Sequence, residues 1–105
     1  MLDKGAVINA VEKYAKAVQE EFSPEAIVLY GSYVKGNARE ESDIDIAVIF
    51  NGFTGDWLKA SSRLWRLTKG VSTYIEPVLL DSTEDRSGFV RHVYKTGQVI
   101  YQSSD

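Results

Sequence analysis

Asp43 and Asp45 stand two residues apart at the head of an apolar run, Asp43-Ile44-Asp45-Ile46-Ala47-Val48-Ile49-Phe50. On a strand, side chains alternate with period two, so both carboxylates leave the same face, about 7 Å apart at ~3.3 Å per residue. No basic residue lies between them. Two carboxylates so placed can converge on one divalent ion or on an adjacent pair. Gly31-Ser32 precedes them by ten residues. A glycine permits close backbone approach, and a serine hydroxyl adds a donor. If a helical turn opens there, its free N–H groups make an anion site. One element then holds phosphates and the next holds the cation that bridges them, which is the requirement for chemistry on a nucleoside triphosphate. Glu76, set between Ile75 and Pro77, is the candidate third carboxylate. It is placed to bind the ion and to take the proton of an attacking hydroxyl. Lys35 and Arg39 lie in the loop joining the two halves of the motif, within range of a triphosphate.

Each part also has a plainer reading. Gly-Ser after a strand closes a turn, paired aspartates mark a solvated strand end, and Glu76 is a rim charge. His92, beside Arg91 and Val93, reads as a surface or packing histidine. Lys59, Arg63, Arg66 and Lys69 form one basic helix face, by default solvated, in the alternative a patch for phosphates or an acidic partner. Trp57, Leu64 and Trp65 at helical spacing read as core. The joint pattern is more specific than any of its parts.

Composition narrows the rest. At 105 residues the chain is expected to be one domain, 1–105, with one core and little to spare. Hydrophobic residues make up 44% and charged residues 26%, as in ordinary globular proteins. A net charge of −3 argues against a domain that coats nucleic acid. There is no cysteine and a single histidine, so thiol chemistry, disulfides and zinc on thiolates are excluded. Any bound metal must take oxygen ligands, which points to Mg²⁺ or Mn²⁺. No signal peptide or apolar span of membrane length is evident, and a cytoplasmic protein is expected.

The elements that must position the motif follow from periodicity. Val7, Val11, Tyr14 and Val18 predict a helix over 2–22, with Asp3 able to cap it and Ser23-Pro24 to stop it. Ala26 to Tyr30 reads as a strand buried on both faces, and 43–50 as a second. A helix is expected over 55–69, with Trp57, Leu58, Ser61, Leu64, Trp65 and Thr68 on one face, Thr54 or Asp56 at its start and Gly70 as a left-handed C′ residue. Residues 71–80 form a third strand, at an edge or bulged because of Pro77. A helix over 84–96 and a short strand at 99–101 complete an α/β (α+β) fold, a small mixed sheet with packed helices.

The segment Gly31-Ser32-Tyr33-Val34-Lys35-Gly36-Asn37-Ala38-Arg39-Glu40-Glu41-Ser42-Asp43-Ile44-Asp45-Ile46 resembles the signature of the DNA polymerase β-like nucleotidyltransferase superfamily. Gly36 and Ser42 match frequent family positions. Ile75-Glu76-Pro77-Val78 and the stretch from Phe89 to Tyr101 look like later family segments. The short chain is similar to minimal nucleotidyltransferases. The resemblance implies that Gly31 and Ser32, with Lys35, Arg39 and Ser42 nearby, bind the nucleotide, and that Asp43, Asp45 and Glu76 bind two Mg²⁺ ions, or Mn²⁺, and catalyse. It implies transfer of AMP from ATP to a hydroxyl. Minimal members are paired with HEPN-domain ribonuclease toxins, so the resemblance further implies an antitoxin that adenylylates a toxin tyrosine within a homo- or hetero-oligomer; the charge balance and the short apolar runs predict no direct nucleic-acid or membrane partner. Neutralisation by binding alone, and transfer to a small-molecule hydroxyl, are the alternatives. Period two also places Ala47 and Ile49 beside the aspartates, and Tyr74, Val78 and Leu80 beside Glu76. That row predicts an exposed apolar docking face, unless the last helix folds over it.

Overall fold

The computed structural model describes residues 4–36 and 43–104. Asp3, Arg39 and Ser42 lie outside the described residues, as does most of the loop within the motif. Helix α1 (Lys4–Glu21) is followed by β1 (Ala26–Tyr30), the single turn α2 (Ser32–Lys35) and β2 (Ile44–Phe50). Then come α3 (Trp57–Thr68), β3 (Ile75–Asp81), a short 3₁₀ turn (Ser82–Glu84), α4 (Phe89–Thr96) and β4 (Gln98–Gln102). The four strands form one mixed sheet in the order β3-β2-β1-β4. β1 runs antiparallel to β2 and β4, and β2 runs parallel to β3. β3 is therefore an edge, where Pro77 faces no loss of a ladder partner on its open side.

Period two divides β2 cleanly. Ile44, Ile46, Val48 and Phe50 pack with Ile27, Leu29, Ile75 and Leu79 under α1 and α3. Val7, Val11, Tyr14 and Val18 supply the α1 stripe of that core, as their spacing predicts. The Tyr14 hydroxyl donates to the Leu64 carbonyl at 2.7 Å and ties α1 to α3. Burial pushes that hydroxyl well above the usual tyrosine range, so it stays a donor.

The opposite face is not an open docking surface. Ala47 and Ile49 are fully buried beneath α4, in a second cluster with Ala26, Val28, Val90 and Val93, and Val78 and Leu80 pack against it. α4 reaches this face because the chain turns back sharply on either side of it. Asp85 accepts from the Val90 and Arg91 amides at 2.9 and 3.1 Å. The helix therefore starts at Phe89 rather than at residue 84, with 85–88 spent on the cap. At its other end Gly97 sits so close to Val28 and the Leu29 carbonyl that a Cβ would collide with both.

α3 departs most from its pattern. Its buried residues are Ala60, Leu64 and Thr68, whereas Trp57 and Trp65 are about half exposed and Leu58 is 77% exposed. The small Ala60 lets the helix approach the sheet along the 60–64–68 line, and at 100° per residue Trp65 then falls outside it. Gly70 does not take a left-handed conformation, for the helix closes through amides of Val71 and Ser72 donating to the Thr68 carbonyl. Asp56 caps the start, accepting from the Lys59 amide at 3.1 Å.

Candidate active site

The sheet register assembles the site in one row. Tyr30 is paired with Asp45 across β1 and β2, and Asp45 with Glu76 across β2 and β3. All three project to the α4 side, by period two from Val28, Ala47 and Val78. α4 covers the sheet beside this row, and Phe89 at its start packs edge-on against Tyr30, ring centroids 5.7 Å apart. Asp43 lies one residue ahead of β2, exposed at its mouth.

Gly31 stands at the end of β1 with φ +81°, where side chains are disfavoured. A Cβ at Gly31 would overlap the Asp45 carboxylate oxygen. The glycine is thus demanded twice, by its backbone angle and by the carboxylate seated against it. Ser32 opens α2, whose one turn is held by the Val34 amide donating to the Gly31 carbonyl at 3.1 Å. Lys35 closes that turn.

The electrostatics are those of acids crowded together. Partial burial, then the Asp43 charge, pushes the Asp45 carboxyl up. Glu76 is likewise pushed up, by desolvation first, then by Asp43 and Asp45 and a side-chain hydrogen bond with Asp43. Tyr30 is raised by burial and then by the same two charges, Asp45 and Glu76. Among the described residues no cation is ion-paired with any of the three carboxylates. Nor do any three acidic or imidazole groups there close on a point tightly enough to be a finished ion site. The trio supplies oxygen donors only, a chemistry that suits a hard divalent cation, whose charge would offset the desolvation and the repulsion that raise Asp45 and Glu76.

Of the residues picked from sequence, the structure brings together Gly31, Asp43, Asp45 and Glu76, with Ser32 on the adjoining turn. Tyr30 and Phe89 were not among them. Tyr30 was detectable as the last residue of the strand ahead of Gly31, on the same face as Val28. Phe89 depends on how α4 folds back, which no local pattern displays.

The structure sets Gly31-Ser32 after β1 and Asp43 and Asp45 at the head of β2 in a mixed sheet, as the resemblance to nucleotidyltransferases implies. The family model for "Polymerase beta, Nucleotidyltransferase" matches residues 12–105, and the chain belongs to that family. The protein adenylyltransferase MntA of Thermococcus cleftensis is 38% identical over 50 residues, 48% of this chain and 50% of that protein. A relative from Methanocaldococcus jannaschii is 41% identical over 49 residues, 47% of this chain and 56% of the relative. The aligned part thus spans about half the length of the curated relatives it matches. A solved Sulfolobus solfataricus structure superposes with a TM-score of 0.70 at 18% identity, covering 99% of this chain and 93% of that one. A toxin–antitoxin structure with AMP-PNP gives 0.63 at 23%, covering 98% and 76%. At these identities the structural likenesses establish the fold.

Proposed function

We propose that this protein is a Mg²⁺-dependent protein adenylyltransferase that moves AMP from ATP to a tyrosine hydroxyl of a HEPN ribonuclease toxin and so acts as its antitoxin. One observation carries the reading. Asp45 is seated against a glycine at which any Cβ would overlap its carboxylate, beside Asp43 and Glu76, in a cluster that no described cation neutralises. A carboxylate serving the fold alone would be given donors. The adenylyltransferase relative and the toxin–antitoxin fold neighbour support the acceptor class.

In this reading the Gly31 backbone and Ser32 hold the triphosphate, with Lys35, Arg39 and Ser42 from the turn and the loop after it. Asp43, Asp45 and Glu76 hold two Mg²⁺ ions, which Mn²⁺ can replace. When bound, the ions supply charge neutralisation at the phosphates. The acceptor oxygen forms a bond to the α-phosphorus, the bond from that phosphorus to the β-bridging oxygen breaks, and pyrophosphate leaves. Glu76, on the exposed edge strand opposite Asp45, receives the phenolic proton. The test is intact-mass analysis of a HEPN protein encoded beside this chain, after incubation with it, ATP and Mg²⁺. A gain of one AMP is expected. Neutralisation of the toxin with no mass gain would contradict transfer and leave binding alone.

A further inference from the structure

α3 carries a second surface remote in kind from the carboxylate row. From Trp57 to Lys69 the sequence holds four cations and no acid, in a chain whose net charge is −3. On the side of α3 turned away from the sheet, Leu58, Ser62, Trp65 and Lys69 follow one another at four-, three- and four-residue steps. That spacing lines up one outer seam of α3 and its C-cap, with Leu58 and Trp65 as its apolar positions and Ser62 and Lys69 as polar ones. Leu58 is 77% exposed and Trp65 48% exposed, so two large apolar side chains of this seam lack cover. Lys59 and Arg66, seven residues apart, run along one flank. A shallow groove of about 540 Å³ lies on that flank, bounded by Asp56, Leu58, Lys59 and Arg66. The two acids near it are already engaged. Asp56 accepts from the Lys59 amide, and Glu21 accepts the Arg63 Nε–H, shared between its two carboxylate oxygens at 2.9 and 3.0 Å. Lys59, Arg66 and Lys69 form no ion pair among the described residues.

We infer that the outer face of α3 docks an amphipathic helix of a protein partner, one whose apolar stripe covers Leu58 and Trp65 and whose acidic flank meets Lys59 and Arg66. The occupant follows from complementarity of both kinds. An aliphatic side chain as open as Leu58 gains from an apolar stripe and little from a phosphate backbone. The cations border the apolar seam on one flank, as charged residues border a helix–helix interface. A nucleic acid would meet the net negative charge of the remaining fold. The inference does not rest on the adenylyl-transfer reading, for it uses none of that site's residues.

Its test uses the whole chain and a synthetic peptide about three heptads long, with Leu at the seam positions and Glu on the flanks, against a twin with Lys on the flanks. Fluorescence anisotropy should show saturable binding of the Glu peptide and about tenfold or weaker binding of the Lys twin. Lys59→Glu with Arg66→Glu should reverse that order, and Leu58→Asp should remove both. All these positions are exposed, and an unchanged melting temperature checks the fold. Equal binding of the two peptides, or no reversal in the double variant, would overturn the inference. So would tighter binding of a single-stranded oligonucleotide, or concentration-dependent self-association that Leu58→Asp abolishes.

Discussion

The parallel pair β2 and β3 carries acids at both ends and treats them in opposite ways. At one end Asp45 and Glu76 are register partners, with Asp43 close by, and desolvation, then neighbouring charge, pushes Asp45 and Glu76 up. At the other end Asp81 pairs with Phe50 and collects donors. The amides of Gly52, Phe53 and Thr83 reach it at 3.1, 2.8 and 2.9 Å, and the Thr83 hydroxyl at 2.6 Å. These bonds, led by the Thr83 hydroxyl, hold its carboxyl down to about 2. Where a carboxylate clamps a turn, the fold supplies its partners. At the Asp45 end the described fold leaves carboxylates facing one another, and the proposed function gives them a bound cation as partner.

The sharpest way to break this contrast is Asp45→Asn. Turnover should fall about a hundredfold or more, the scale for losing one transition-state electrostatic contact. The melting temperature should hold or rise, because one of several like charges is gone. A large drop in melting temperature would make Asp45 a structural acid like Asp81. Gly31→Ala should also abolish turnover, and should cost about 1–3 kcal/mol of stability by overpacking onto the Asp45 carboxylate. Full activity in that variant would dissolve the close approach on which the site is built.

Asp81→Ala tests the other end. It removes four hydrogen bonds to one partly exposed carboxylate and should cost about 2 kcal/mol in denaturant unfolding, with turnover per folded molecule retained. The pH dependence of the two ends has opposite sign. Asp81 has a folded pKa below its unfolded value, so its stabilisation is complete above the ordinary aspartate range and is lost as pH falls toward about 2. Asp45 and Glu76 have folded values above their unfolded ones, so their ionised forms cost stability. That cost is relieved as pH falls through their raised values. Stability curves of wild type and Asp45→Asn should therefore converge on acidification through that window. Asp81→Ala should differ from wild type at neutral pH and converge only near pH 2.

How far the sequence displayed this arrangement depends on the range of the interaction. Asp43, Asp45 and the Gly31 turn were legible because strand alternation and a glycine after a strand are local rules. Glu76 was legible as a charge in an apolar run, and the parallel register then placed it opposite Asp45. The burial of Ile49 was not, because it depends on α4 returning across the sheet under the Asp85 cap and the Gly97 contact. The exposure of Trp65 was hidden for a related reason. Apolar residues make up half of α3, and the side that is buried is chosen by the approach that Ala60 permits.

The mildest expected effect sharpens the row itself. Tyr30 is half-buried beside Asp45 and Glu76, and its raised pKa keeps the hydroxyl a donor at working pH. Tyr30→Phe keeps the ring contact with Phe89 and should lower turnover by less than about tenfold, the net worth of one hydrogen bond. No change would confine Tyr30 to packing.

In the proposed function a divalent cation completes the Asp45 end of the sheet. Calorimetric titration of ATP into wild type and Asp45→Asn, each with Mg²⁺ and with EDTA, addresses it directly. Wild type should bind ATP at least about tenfold more tightly with Mg²⁺, since bare carboxylates repel a polyphosphate and a bound cation joins them. Asp45→Asn should lose most of that difference. Equal wild-type affinity in Mg²⁺ and EDTA would contradict the assignment of these carboxylates to a metal-bound triphosphate.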